Sequence, residues 1–99
     1  MSIDLYVGNL SVKVVKSTLE KLAARVGTVK SVTIHEAQAA LSNKVIEKLG
    51  VQPVDQVAVI RMVSKVEALA AERFLHDRRV FGRRLVAMTH GGTRPRPPK

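Results

Sequence analysis

The stretch Ile3-Asp4-Leu5-Tyr6-Val7-Gly8-Asn9-Leu10 begins with alternating apolar and polar residues, and its composition is that of a half-buried strand. Successive side chains leave a strand on opposite faces, so Leu5 and Val7 point into a core and Tyr6 onto the other face. Beyond it, Leu19, Leu22, Ala23 and Val26 recur at helical spacing. Ser17-Thr18-Leu19-Glu20 has the form of a capping box and Gly27 stands where a carboxyl-terminal cap belongs, which predicts a helix over about residues 17–26.

A second alternating run over residues 29–35 puts Val32 and Ile34 on one face and Ser31, Thr33 and His35 on the other. From residue 36 to 53 the pattern changes to helical intervals, with Ala37, Ala40, Leu41, Val45, Ile46 and Leu49 followed by the stop signals Gly50 and Pro53. An inserted helix is expected there. Residues 56–62 read as a strand, residues 64–76 as a helix, and residues 85–89 as a last strand after a turn at Gly82. The segment Gly91-Gly92-Thr93-Arg94-Pro95-Arg96-Pro97-Pro98-Lys99 has no apolar residue able to pack, and its prolines block a sheet ladder. The expected organisation is one domain over residues 1–90 and a disordered basic tail over 91–99.

The 99 residues are 45% hydrophobic, enough for one small core. With no Cys there is no disulfide framework, no thiol nucleophile and no Cys-based metal site. No apolar run approaches the roughly 18 residues of a membrane span and no basic region opens a signal peptide, so a soluble, cytoplasmic chain with no membrane partner is expected. The charge is uneven. Residues 1–72 carry nine bases and seven acids, whereas residues 73–99 carry eight bases and the single acid Asp77, net +7 of the chain's +9. Such a balance points to a polyanionic partner.

The order βαβ(α)βαβ is the ferredoxin-like α+β arrangement, a four-stranded antiparallel sheet with two helices on one face, here with a helical insertion between strands two and three. That layout serves many functions. Leu5-Tyr6-Val7-Gly8-Asn9-Leu10 resembles the ribonucleoprotein hexamer on the first strand of the RNA recognition motif family, matching aliphatic, aromatic, aliphatic, any, Asn, Leu throughout. The resemblance continues through Ser11, Val14, Leu19, Leu22, Gly27 and Val29, and returns with Ala68, Ala71, Leu75 and Gly82-Arg83-Arg84-Leu85. It is most similar to the small bacterial single-domain members, in which a short Gly- and Arg-containing tail follows the fold. The departures bear on function. The family's octamer on the third strand carries two base-stacking aromatics, but Asp55-Gln56-Val57-Ala58-Val59-Ile60-Arg61-Met62 has Val57 and Val59 in their places. Losing two such platforms removes on the order of 2 to 6 kcal/mol of stacking. The usual Thr cap and Phe of the first helix are replaced by Val15 and Ala23, and Glu72 stands where the second helix usually carries a buried aliphatic.

Continuing the alternation gives the sheet's open face Tyr6, then Ser31, Thr33 and His35, then Val57, Val59 and Arg61, then Arg84, Val86 and Met88. The resemblance implies weak binding of single-stranded RNA, low in sequence specificity, over Tyr6, Asn9, Val57, Val59, Arg61, Arg84 and Met88, with Arg94 and Arg96 of the tail adding phosphate attraction. Nothing separates RNA from single-stranded DNA. The Val-rich strip supports an alternative, a protein-interaction or dimerisation face with nucleic acid left to the tail. Its cover is the inserted helix, the tail, a second copy of the chain or another protein. No enzyme, metal or cofactor is expected: His35, His76 and His90 are scattered, without a His-Glu-x-x-His pair, a phosphate-cradling Gly loop or a nucleophile elbow.

Overall fold

A computed structural model describes residues 3–90. The chain runs β1 (Ile3–Gly8), α1 (Lys16–Ala23), β2 (Val29–Glu36), α2 (Ala37–Ala40), α3 (Asn43–Leu49), β3 (Gln56–Met62), α4 (Lys65–Leu75), the short strands β4 (Arg79–Val80) and β5 (Arg83–Arg84), and β6 (Val86–His90). Four strands form one antiparallel sheet in the order β2-β3-β1-β6, and β4 pairs with β5 as a separate hairpin. The expected α+β sheet with two helices on one face is present.

Leu5 and Val7 of β1 and Ile60 and Met62 of β3 pack against Leu19 and Ala23 of α1 and Ala68, Ala71 and Leu75 of α4, all at 0% exposure. Burial of each of the Leu, Val, Ile and Met side chains is worth roughly 1.5 to 3 kcal/mol, and the alanines let the helices approach closely. On the opposite face of the sheet α2 and α3 build a second apolar cluster, with Leu41, Ile46 and Leu49 over Tyr6 and Val57. The result is a three-layer domain.

Several local expectations change. The first helix starts at Lys16, with Val15 as its cap and Thr18 Oγ1 accepting from the Val15 N–H at 3.5 Å, so Ser17 is inside the helix. Its carboxyl-terminal cap is Ala24 in a right-handed conformation. Gly27 serves close approach instead: a Cβ there would lie 2.7 Å from Glu67 Cβ and 2.9 Å from Met62 Cε. The Thr28 N–H beside it donates to Glu67 Oε1 at 2.6 Å, tying the α1–β2 loop to α4. The inserted helix is two helices, because Ser42 caps a new one by accepting from the Val45 N–H at 3.4 Å, and Gly50 ends it with φ 75°. The last strand begins at Val86, since residues 79–84 fold into the β4–β5 hairpin, which places Arg84 outside the four-stranded sheet.

Gly27→Ala should cost about 1 to 3 kcal/mol, the usual penalty for overfilling a packed site. Urea unfolding is expected to show a lower midpoint with an unchanged slope; an unchanged midpoint would mean that the loop yields to the added methyl freely.

Candidate nucleic-acid interface

Three cross-strand rows make up the sheet face opposite α1 and α4. Asp4 pairs with Arg61, and Arg61 with Ser31; Tyr6 pairs with Val59 and Met88, and Val59 with Thr33; Gly8 pairs with Val86, and Val57 with His35. The insertion lies over the last two rows. Its base is closed by the Ala37 N–H donating to the Asp55 carbonyl at 2.8 Å and the Gln38 N–H to the Pro53 carbonyl at 2.9 Å, which continue the β2–β3 ladder outward. Ala37, Leu41, Ile46 and Leu49 then face the sheet, with Val51 beside them. Gly8 makes the close contact possible, because a Cβ there would meet Val51 Cγ1 at 2.7 Å.

The residues singled out from sequence therefore have different surroundings. Tyr6 is 8% exposed and Val57 is 0% exposed, beneath the insertion rather than on an open face. Val59 and Met88 are half-buried at the margin of the same cluster. Arg61 is exposed on the uncovered row, where its Nε donates to Asp4 Oδ1 at 3.0 Å. An ion pair so open to solvent is screened by water and salt and adds little to stability. Asn9, at φ 61°, clips β1 to the hairpin: its Nδ2 donates to the Arg84 carbonyl at 2.6 Å, and its Oδ1 accepts from Arg83 Nη2 at 2.7 Å. The side-chain amide is thus engaged at both ends. Arg94 and Arg96 lie outside the described residues. The structure brings Tyr6, Val57, Val59 and Met88 together as packing, leaves Arg61 on the neighbouring row within electrostatic reach of Tyr6, and places Arg84 outside the four-stranded sheet.

The exposed positive charge gathers elsewhere. Arg79, Arg83 and Arg84 are exposed on the hairpin, and Phe81 at its tip is 55% exposed. Arg78 lies over the Phe74 ring at 4.0 Å from its centroid, a cation–π contact that fixes the base of the hairpin to α4. Phe81 carries no signal in the sequence, because its neighbours show neither alternation nor a helical period. Among the described residues no polar or charged residue is buried, and no group of three metal-ligating side chains converges. No helix among them is long and apolar enough to cross a membrane.

A βαββαβ sheet in the order β2-β3-β1-β6, with α1 and α4 on one face, is diagnostic of architecture. The fold is that of an RNA recognition motif. An RNA-binding protein designated PG1 superposes at a TM-score of 0.66 with 22% identity, over 95% of this chain and 99% of that one. The RNA recognition motif of Puf1 from S. pombe gives 0.63 with 23% identity, over 91% and 99%. The NONO-1 homodimer from C. elegans gives 0.61 with 22% identity, over 86% of this chain and 27% of that one. No protein-family model matches the sequence, and no curated protein does. What separates this chain from an RNA recognition motif with an open platform is the two-helix cover.

Burial pushes the Tyr6 phenol above its ordinary 10.0, nearby Asp4 adds to the rise, and Arg61 opposes it. A raised folded value means that Tyr6 contributes stability below its ordinary value and loses it as pH climbs through the folded one. Because the chain has one Tyr and no Trp, phenolate absorbance reports this group alone. The titration midpoint is expected above 10.0 in the folded protein and at the ordinary value in denaturant. Coincident midpoints would contradict the cover.

Proposed function

We propose that this protein binds single-stranded RNA, weakly and with little sequence preference, chiefly through the positive charge of its carboxyl-terminal half. The observation that carries the reading is the net +7 of the last 27 residues, joined to a fold whose solved neighbours include one titled an RNA-binding protein and one titled RNA recognition domains. Arg61 and Arg84, with Arg94 and Arg96 of the tail, supply phosphate attraction, and phosphate contacts position a strand without reading its bases. Tyr6, Val57, Val59 and Met88 serve this function as the packed support beneath the insertion. Asn9 serves it by holding the hairpin. The chain acts as a binding protein and not as an enzyme, with residues 1–90 as the folded unit and 91–99 as a basic extension.

The alternative, a self-associating or protein-docking sheet face, has a homodimer among its solved fold neighbours. It draws less support here, because α3 and Val51 occupy the apolar strip such a partner would need. Sedimentation is expected to show a monomer with no dependence on concentration.

Binding to a short mixed-sequence RNA should weaken steeply with salt, with a log–log slope near −3, corresponding to about four neutralised phosphates. Tyr6→Leu removes the ring yet keeps an apolar filling beneath the insertion, and is expected to leave the RNA affinity of the folded protein unchanged. Tyr6→Ala should lower stability by about 3 kcal/mol. A loss of affinity in folded Tyr6→Leu would return the RNA to the sheet face, and a salt-independent affinity would remove the electrostatic reading altogether.

A further inference from the structure

The β4–β5 hairpin carries three features that packing does not account for. Arg79 and Arg84 are direct cross-strand partners, both exposed, and like charges placed opposite one another destabilise a strand pair. Among the described residues neither forms an ion pair with a carboxylate. The turn joining the strands has Phe81 at φ 51° and Gly82 at φ 84°, so both central residues lie in the left-handed region. Asn-Gly occupies such a turn without strain, whereas a bulky aromatic at its first position is disfavoured. The strained residue is also the exposed one, at 55%. The chain has only three Phe or Tyr rings. Tyr6 is buried and Phe74 lies half-buried under Arg78, which leaves Phe81 as the ring open to a partner.

Next to the tip, the hairpin and α1 enclose a groove of about 370 Å³ whose walls include Ser17, Thr18, Lys21, Arg78, Arg79 and Phe81. Three of these are cationic, two carry hydroxyls and one is aromatic. Guanidinium groups bind phosphate through paired, planar hydrogen bonds, and an aromatic face stacks on any base. We infer that this hairpin is the nucleotide-contacting site of the protein, with Phe81 stacking on one base while Arg79 and Arg84 bind the flanking phosphates. A bound phosphate relieves the Arg79–Arg84 repulsion, and a stacked base gives the strained Phe81 its function. The occupant is a single strand, because bases in a duplex are already stacked on each other. The inference rests on the RNA-binding reading above and places its base contact on the helix side of the hairpin.

The test uses the full chain and anisotropy of a short fluorescein-labelled mixed-sequence single-stranded RNA. Phe81→Asn creates the favoured Asn-Gly turn, so it should melt at or above the parent's temperature yet bind RNA about five-fold or more weakly. A residue with only a structural role would not separate the two readouts in that direction. Arg79→Gln/Arg84→Gln should reduce the steepness of the salt slope by about 1.4, for two phosphates. Lys44→Gln/Lys48→Gln, which removes the same charge from the exposed side of α3, should change it less. A Phe81→Asn protein that binds like the parent, or lysine and arginine double variants with equal effects, would overturn the inference and leave RNA binding standing. A parent chain that does not bind RNA would overturn both. Displacement of the RNA by polyglutamate of matched charge at equal concentration would show a general anion surface and also defeat the assignment.

Discussion

The apolar contact between the insertion and the second face of the sheet is the constraint on which the rest depends. A sheet packed on one side by α1 and α4 still has another side to cover, and this chain covers it with its own Leu41, Ile46 and Leu49. The contact turns Tyr6 from a surface residue into a core residue and removes Val57 from solvent. It also leaves only the row of Asp4, Arg61 and Ser31 uncovered on that face. A chain with 3% aromatic residues has few stacking surfaces to spare, so burying one of its three rings strongly limits where a base can bind.

Much of the fold was legible in the sequence because its signals are local and strong. β2 and β3 show runs long enough to set their boundaries, and Ser64 advertises the start of α4 by accepting from the Glu67 N–H at 3.2 Å. The start of α1 was less legible, since Val15 has no side-chain acceptor to mark a cap. Gly27 looked like a helix terminator because a close approach to Glu67 and Met62 is a tertiary fact. The hairpin leaves no signal in the sequence because its strands have two residues each, too few for alternation, and because Phe at a left-handed turn position contradicts turn chemistry.

The candidate site was legible as composition and much less as geometry. The excess of arginine after residue 72 was plain, but strand alternation put Arg84 on the sheet face, whereas the hairpin interrupts the strand before it can count. The cover over Tyr6 did leave a trace. Val57-Ala58-Val59-Ile60 is an unbroken apolar run, the pattern of a strand shielded on both sides, where a one-sided sheet would show alternation.

That run has a consequence for anyone reshaping the protein. Deleting residues 37–51 to open the platform would leave Tyr6, Val57, Val59, Val86 and Met88 as a contiguous apolar strip. Short, uncharged, β-prone segments of this kind are where chains join one another into aggregates. The insertion thus works as a built-in solubility device, and a truncated form would need polar replacements along β3 before it could be handled at useful concentration.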